Sequence, residues 1–290
     1  MAVAERWAIK TLLKDLITDP LAFFGFIVIL IAFIVAIFAQ IIMPYDPYNQ
    51  LWEPLQPPSW TNIFGTDELG RDFLSRMILG TRDILFIGIV GSLGSTLIGV
   101  VIGAFSAYYS KYADYILMRT SDVIMVIPSF FLYLLIISTL RVRSVSLMVL
   151  MFTFTTWPRI ARIVRSEVLS LKEREFVRAA KALGARDLRM IFRHILPNCM
   201  GNVIVVSTLG ISTLILTAAG LDFLGFGDPT SVSWGTLLTK ERKFIRVAPL
   251  LTIIPGFAIF LLALSFNVLG DRLRDILDPR LKGVGRRKKK

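Results

Sequence analysis

Long apolar blocks without a single charge constrain this chain more than any other sequence feature. Residues 21–43, for example, contain no Asp, Glu, Lys or Arg. A helix needs about 20 apolar residues to cross the hydrocarbon core of a bilayer, and several blocks reach that length. The sequence therefore predicts an all-α polytopic membrane protein with about six transmembrane helices. The predicted spans are residues 21–43, 84–109, 123–140, 145–163, 201–221 and 249–269.

The distribution of positive charge predicts the orientation of these helices. The chain has a net charge of +12 and 33 Lys and Arg residues, of which 24 lie in four segments. Positive charge near helix ends holds those ends on the cytoplasmic side. Both termini are therefore predicted to be cytoplasmic, and topology explains the basic composition without a nucleic-acid partner. The four segments are residues 1–20, 110–122, 158–198 and 271–290.

The same boundaries divide the chain into four predicted regions. Residues 1–20 are a cytoplasmic N-terminal segment, and residues 21–83 are the first transmembrane helix with an outer loop. Residues 84–270 are a five-helix core that contains a cytoplasmic loop at residues 166–198. Residues 271–290 are a basic cytoplasmic tail. The predicted location is the cell membrane, crossed several times and surrounded by the lipid bilayer.

Residue patterns that carry catalysis are missing. The single Cys and single His, Cys199 and His194, form no disulfide framework and argue against a Cys/His metal site. The sequence has no GxxxxGK[ST] phosphate loop, so the chain is not expected to hydrolyse nucleotides. Asp222 and Asp228 flank a Gly-rich outer stretch, where paired carboxylates are more typical of a solvated loop than of a catalytic site. We predict no catalytic, cofactor-binding or metal-binding residue, and no enzyme activity.

Ionisable residues are also missing from the centres of the predicted spans. Ion-driven carriers place such residues inside the membrane, where they are costly and functional. Their absence argues against an ion-coupled secondary carrier and predicts an uncharged wall for any pathway. If the protein moves a solute, the energy must come from a partner.

The second span carries a stripe of small residues at every fourth position, which places them on one helical face. Such a face lets two helix backbones approach closely. Either ordinary close packing or a seam beside a moving pore accounts for it. The stripe consists of Gly91, Ser95, Gly99, Gly103 and Ala107.

The cytoplasmic loop has helical periodicity from Arg174 to Asn198. Gly184 can end a first helix with a left-handed cap, and Pro197 is predicted to break the second before the fifth span. A helix of this kind can lie on anionic lipid or dock into a groove of another protein, and the periodicity does not decide between them. The apolar face of the first helix is Phe176, Ala179, Ala180 and Leu183, and that of the second is Leu188, Ile191, Phe192 and Ile195.

This loop resembles the coupling motif of bacterial and archaeal ABC importer permeases, whose pattern is E-A-A, three residues, Gly, nine residues, I-x-L-P. The chain has Arg178 in place of the usual Glu and His194 in place of the usual Ile, while the Ala pair, the Gly and the Leu-Pro keep their spacing. The resemblance implies that the helix docks into a cleft of an ATP-hydrolysing subunit. The residues to which it assigns this role are Glu175, Phe176, Arg178, Ala179, Ala180, Leu183, Gly184 and Ala185.

Three further stretches, residues 64–82, 221–238 and 266–281, resemble the C-type subunit of the dipeptide/oligopeptide (nickel) permease family. The resemblance implies a type I ABC importer permease fold. It also implies four kinds of partner: a second homologous permease, two ATP-binding subunits that hold ATP and Mg, an extracytoplasmic solute-binding protein and the membrane. This chain is then expected to hold no cofactor. Di- and oligopeptides are the expected solutes, with oligosaccharides or nickel complexes as alternatives.

The first of these stretches forms a predicted outer-mouth motif. Its glycines permit turns that other residues resist, and its charged residues can pair among themselves at the outer surface. The motif either shapes the outer mouth where the binding protein docks or forms a folded structural plug. Its residues are Gly65, Asp67, Gly70, Arg71, Asp72 and Arg76.

Overall fold

The computed structural model describes residues 19–109 and 111–277, which fold as a bundle of α-helices. Most of the predicted N-terminal segment and basic tail lies outside the described residues. Five helices are long and apolar enough to cross a membrane, and a bent pair makes a sixth when it is counted as one span. The predicted all-α polytopic fold is confirmed. The helices are α1 (Pro20–Ile37), α2 (Ala39–Ile42), α3 (Phe73–Tyr108), α4 (Lys111–Val126), α5 (Ser129–Leu140), α6 (Val145–Lys172), α7 (Glu175–Ala182), α8 (Asp187–Arg189), α9 (Leu196–Phe223), α10 (Trp234–Glu241) and α11 (Leu250–Leu277).

Helix α1 lies at the edge of the bundle. Asp19 caps it, because its Oδ1 accepts hydrogen bonds from the backbone N–H groups of Leu21 (3.0 Å) and Ala22 (3.3 Å). Gly25 lets the helix approach α11 closely, since a Cβ there would lie 3.2 Å from the carbonyl oxygen of Ser265. Only four α1 side chains are buried, as expected for a helix that faces lipid.

Helix α3 is longer than the sequence predicts. The predicted second span starts at Ile84, whereas the helix starts at Phe73, where the Asp72 side chain accepts a hydrogen bond from the backbone N–H of Ser75 at 2.8 Å. The 36 residues of α3 extend about 54 Å, well beyond a hydrocarbon core of about 30 Å. The charged residues near the start of α3 end the apolar block in the sequence. They do not prevent the helix from starting earlier, because Asp72 caps it.

The small residues of α3 pack against α6. A Cβ at Gly103 would lie 2.4 Å from the carbonyl oxygen of Ala161, and a Cβ at Gly99 would lie 2.7 Å from Cβ of Ile160. All five members of the stripe are buried, and α3 with α6 is the most extensive helix pair in the described chain. The close-packing interpretation is confirmed.

The predicted third span is broken. Helices α4 and α5 are inclined to each other by 81°, and Pro128 is the N-cap of α5. Proline disfavours the helical conformation in the residue before it, here Ile127. With 12 residues, α5 extends about 18 Å and cannot cross the hydrocarbon core alone. Pro128 thus marks a helix boundary, whereas Pro158 lies inside α6.

Helix α6 continues to Lys172, past the predicted end of the fourth span at residue 163. Arg159 therefore lies near the middle of a membrane-length helix. The predicted boundary at residue 163 is wrong, because an apolar window ends at the first arginines, whereas the helix continues through them.

The loop between α6 and α9 also differs from its prediction. Residues Met190–Ile195 form a π-helix that leads directly into α9. Pro197 does not break the helix, because it occupies the first turn of α9, where its missing N–H is tolerated. The helical stretch therefore runs without interruption from Asp187 to Phe223.

Residues 44–72 and 224–249 fold together at one end of the bundle, and we call them the cap. The indole Nε1 of Trp234 donates a hydrogen bond to the carbonyl oxygen of Met77 at 2.9 Å, which fastens α10 to the start of α3. Gly80 leaves space for this indole, since a Cβ there would lie 2.9 Å from Trp234 Cδ1. Helix α7 lies at the opposite end, because α9 connects the two ends over 28 residues.

Candidate functional site

Helix α7 turns part of its apolar surface away from the rest of the chain. Val177 is buried in a cluster that contains Met190 and Ile191. Phe176 and Leu183 are 43% and 89% exposed, so nothing in the described part of the chain covers them. The eight predicted coupling residues all lie on α7 or in the turn after it: Glu175, Phe176, Arg178, Ala179, Ala180, Leu183, Gly184 and Ala185.

Gly184 ends α7 in the left-handed conformation, with φ +81°. The N–H of Gly184 donates to the carbonyl oxygen of Lys181 at 3.0 Å, and the N–H of Ala185 donates to that of Ala180 at 3.2 Å. These two bonds form a Schellman motif, which satisfies carbonyls that would otherwise lack partners. Apart from its chain neighbours, no atom of the described residues lies within 4 Å of a Cβ at Gly184, so its conformation, not crowding, favours glycine here.

Arg178 pairs with Glu173 on the surface. Its Nη2 lies 2.7 Å from Glu173 Oε2, and both side chains are about 70% exposed. An exposed pair of this kind contributes little to stability. The pair therefore leaves both charges accessible at the position where the chain departs from the family pattern.

Polar contacts attach the α7 region to the end of α3. The Tyr108 hydroxyl donates to Asp187 Oδ1 at 2.8 Å. Lys172 Nζ donates to the carbonyl oxygen of Tyr108 at 3.0 Å. Val177 of α7 is buried in the same cluster as Ala107 of α3 and Val168 of α6, so α7 packs against the ends of both helices.

At the other end of the bundle, Asp67 organises the predicted outer-mouth motif. Its Oδ1 accepts from the backbone N–H groups of Leu69 and Arg71, each at 2.9 Å. Its Oδ2 lies 2.7 Å from Arg71 Nε and 3.2 Å from Arg76 Nε. Asp67 is fully buried and Arg76 nearly so. These charged residues pair inside the cap and not at its surface.

The other motif residues shape the backbone of the cap. Asp72 caps α3 and also accepts a hydrogen bond from Asn62 Nδ2 at 3.0 Å. Gly65 and Gly70 both have positive φ. A Cβ at Gly70 would lie 1.9 Å from the carbonyl oxygen of Trp52. The geometry of the six residues is that of a folded structural unit.

Two buried carboxylates in this region are missed by sequence reasoning. Asp222 is 3% exposed and accepts a hydrogen bond from Ser233 Oγ, so its solvated interpretation is wrong. Glu241 is fully buried, and neither carboxyl oxygen has a hydrogen-bond partner among the described residues. Burial, followed by the nearby charges of Asp67 and Glu68, raises the pKa of Glu241 to about 7.

A cavity of about 260 Å³ lies between α3, α4, α5, α6 and α9. Tyr133 closes one side, with its ring packed edge-on against Phe152 at 5.0 Å between centroids and its hydroxyl accepting from Thr155 at 3.1 Å. Arg159 also lines the cavity, so its wall is not uncharged as predicted. The hydroxyl-bearing residues of the wall are Ser92, Ser95, Ser129, Tyr133, Thr155, Thr156, Thr213 and Thr217.

A bundle of apolar helices around a cavity with several hydroxyl-bearing residues, with an amphipathic helix exposed at one end, is typical of a membrane transport subunit. Comparison with known families agrees. Residues 99–283 match the model described as binding-protein-dependent transport system inner membrane component. Residues 9–58 match the N-terminal transmembrane domain of oligopeptide transport permease C. The chain belongs to this family of ABC importer permeases and is a multi-pass protein of the cell membrane.

Individual relatives resemble the chain over most of its length. The dipeptide transport system permease protein DppC of Alkalihalophilus pseudofirmus is 39% identical, with 93% of this chain and 89% of the relative covered. The oligopeptide transport system permease protein OppC of Bacillus subtilis is 38% identical, with coverages of 91% and 87%. The glutathione transport system permease protein GsiD of Pectobacterium atrosepticum is 39% identical, with coverages of 89% and 85%.

Proposed function

We propose that this chain is one of two permease subunits of an ATP-driven, binding-protein-dependent importer of di- and oligopeptides. A second homologous permease would complete the pathway, and an extracytoplasmic binding protein would deliver the peptide. Two ATP-binding subunits would hold ATP and Mg, so this chain itself would be non-catalytic and without a cofactor. The relatives named for dipeptides, oligopeptides and glutathione support a peptide as the solute.

The observation that carries the proposal is the exposed apolar face of α7. Phe176 and Leu183 project from a helix that is otherwise anchored to the bundle through Val177. Exposed apolar residues on an anchored helix favour a protein partner, since their burial there would contribute binding energy. In the proposed mechanism, ATP binding closes the partner subunits and moves α7. Val177, which is buried with residues of α3 and α6, would pass that movement to these helices and change access to the cavity.

The cap is the proposed binding surface for the solute-binding protein. It lies at the end of the bundle opposite α7, as a protein on the other side of the membrane requires. The six residues of the outer-mouth motif support this role from within, because Asp67, Asp72 and Arg76 are buried. These buried residues would stabilise the fold of the cap surface without contacting the binding protein.

The test uses the complete importer reconstituted in proteoliposomes, with ATP inside and labelled trialanine outside. The unmodified complex is expected to accumulate trialanine only when ATP and the binding protein are present. Leu183→Asp is expected to reduce uptake at least tenfold, because a charge in the docking face would be desolvated on binding. Leu183 is mostly exposed, so the variant should keep its thermal midpoint.

Leu183→Met is the matched control. It keeps an apolar side chain at the same exposed position. This variant is expected to retain trialanine uptake. Normal uptake by Leu183→Asp would contradict the role of α7, whereas no trialanine uptake by the unmodified complex would contradict the peptide solute.

A further inference from the structure

Arg159 is the one charged residue among the described residues that line the cavity. It lies 14 residues from the start of α6, or about 21 Å along the helix, and 13 residues from its end. A point about 21 Å along the helix falls within a hydrocarbon core of about 30 Å that begins at the first residue of α6. An ionisable residue at such a depth is costly unless it faces water or a partner, and it marks a candidate solute pathway.

Two neighbouring arginines on the same face of α6 have carboxylate partners. Arg162 Nη2 lies 2.6 Å from Asp122, and Arg165 binds Asp114 through two hydrogen bonds. Arg159 continues this three-residue spacing toward the cavity, yet no hydrogen bond or ion pair joins it to any described residue. The chain that follows Asp122 into α5, residues 123–140, contains no acidic residue. Arg159 is exposed in the single chain and lines the cavity, so its guanidinium is available to a solute there.

We propose that Arg159 binds the C-terminal carboxylate of a short peptide while the peptide passes through this cavity. The inference rests on the proposed function, since a terminal carboxylate is the one anion that every unmodified peptide carries. A guanidinium matches a carboxylate with two parallel N–H donors. The hydroxyl oxygens of Thr156 and Thr213, which line the same cavity, can accept hydrogen bonds from peptide amides, while each hydroxyl donates its own proton to a backbone carbonyl of its helix.

The size of the cavity limits what is bound there. A volume of about 260 Å³ lies just below the roughly 300–1,000 Å³ typical of small-molecule pockets. It suits the end of a peptide and not a long chain. One charged contact at a wet site also gives weak binding, which a pathway needs if the solute is to leave again.

The test replaces the charge and then restores it chemically in the reconstituted complete importer. Arg159→Cys is expected to lower trialanine uptake about tenfold, the effect of about 1.4 kcal/mol of lost binding. A methanethiosulfonate reagent that attaches an ammonium group should restore at least a third of the uptake, and one that attaches a sulfonate should restore none. The native Cys199 is buried and should not react in the folded protein. Trialanine should slow the labelling of the introduced thiol.

The unmodified complex is the control for the reagents, because Cys199 of this chain is buried. Neither reagent should change its uptake. Equal uptake by Arg159→Cys and the unmodified complex would overturn the inference, as would equal effects of the two reagents. Absence of trialanine uptake by the unmodified complex would instead contradict the proposed function, and with it the peptide carboxylate as the ligand.

Discussion

The guanidinium of Arg165 binds the carboxylate of Asp114 through two hydrogen bonds, from Nε to Oδ1 at 2.6 Å and from Nη2 to Oδ2 at 2.5 Å. The pair joins α6 to α4, the helix that precedes the 81° bend. The neighbouring pair of Arg162 and Asp122 has one such bond, and its side chains are nearly half exposed. The second hydrogen bond and the lower exposure therefore both indicate that the Arg165–Asp114 pair contributes more to stability than the Arg162–Asp122 pair.

Asp114→Asn is expected to lower the free energy of unfolding by about 1–2 kcal/mol, a value reduced for partial exposure of the pair. Asp122→Asn should cost less than about 0.5 kcal/mol, because an exposed pair is screened by solvent. Unfolding of the complex in detergent can be followed with a thiol-reactive dye, provided that the other subunits lack cysteine, since Cys199 is buried until the chain unfolds. Equal losses of unfolding free energy in the two variants would contradict the larger contribution of the Arg165–Asp114 pair.

Gly103→Ala is expected to destabilise the interface of α3 with α6. The added Cβ would lie 2.4 Å from the carbonyl oxygen of Ala161, and a backbone atom cannot move aside as a side chain can. We expect a loss of about 2–3 kcal/mol. Gly201→Ala in α9 is the control, because its Cβ would meet only Leu277 Cβ at 3.7 Å. That variant should be unchanged or more stable by up to about 1 kcal/mol. A tolerated Gly103→Ala would show that the two helices can separate.

Sequence reasoning identifies the parts of this fold that depend on local pattern. Uncharged blocks predict the spans, the small-residue stripe predicts a closely packed helix face, and Gly184 predicts a left-handed helix cap. Each of these features depends on residues a few positions apart. The motif comparison is also local, since it aligns short runs of residues in a fixed order.

The features that sequence reasoning misses depend on residues far apart in the chain. The helix past residue 163 is permitted because Asp114 and Asp122 pair with arginines about 40–50 positions later. The burial of Asp67 depends on its contacts within the cap, and that of Glu241 on α10 folding back over α3. Arg159, Arg162 and Arg165 are three residues apart, which places them on one face of a helix and indicates that α6 continues. A search for uncharged blocks misses this pattern, because it ends at the first charged residue.

Asp67→Asn is expected to destabilise the cap strongly. The substitution removes a buried charge that faces both Arg71 and Arg76, and breaking a buried pair from one side costs about 3–5 kcal/mol. Glu68→Gln is the matched control, because the Glu68 pair with Lys243 involves a mostly exposed lysine, and it should cost less than about 1 kcal/mol. The measurement is the thermal midpoint of the complex in detergent. Similar midpoints for the two variants would argue that Asp67 is not the centre of the cap.

Glu241 is expected to make the stability of the cap depend on pH. Burial, and after it the charges of Asp67 and Glu68, raise its pKa from the ordinary 4.5 to about 7, although Arg76 and Arg71 act to lower it. The folded state therefore binds a proton that the unfolded state releases between these two pH values. The resulting stability is complete below pH 4.5 and is lost as the pH rises through about 7, with a total of about 3 kcal/mol.

Glu241→Gln isolates this contribution, because glutamine is neutral at every pH. The unmodified protein should lose about 2–3 kcal/mol more than the variant between pH 5.5 and pH 8.5, measured as unfolding free energy by denaturant titration. At pH 8.5 the variant should be the more stable of the two, since it no longer buries a charge without a hydrogen-bond partner. Parallel pH profiles would mean that Glu241 stays ionised in the folded protein, held by Arg76 and Arg71 more strongly than burial opposes it.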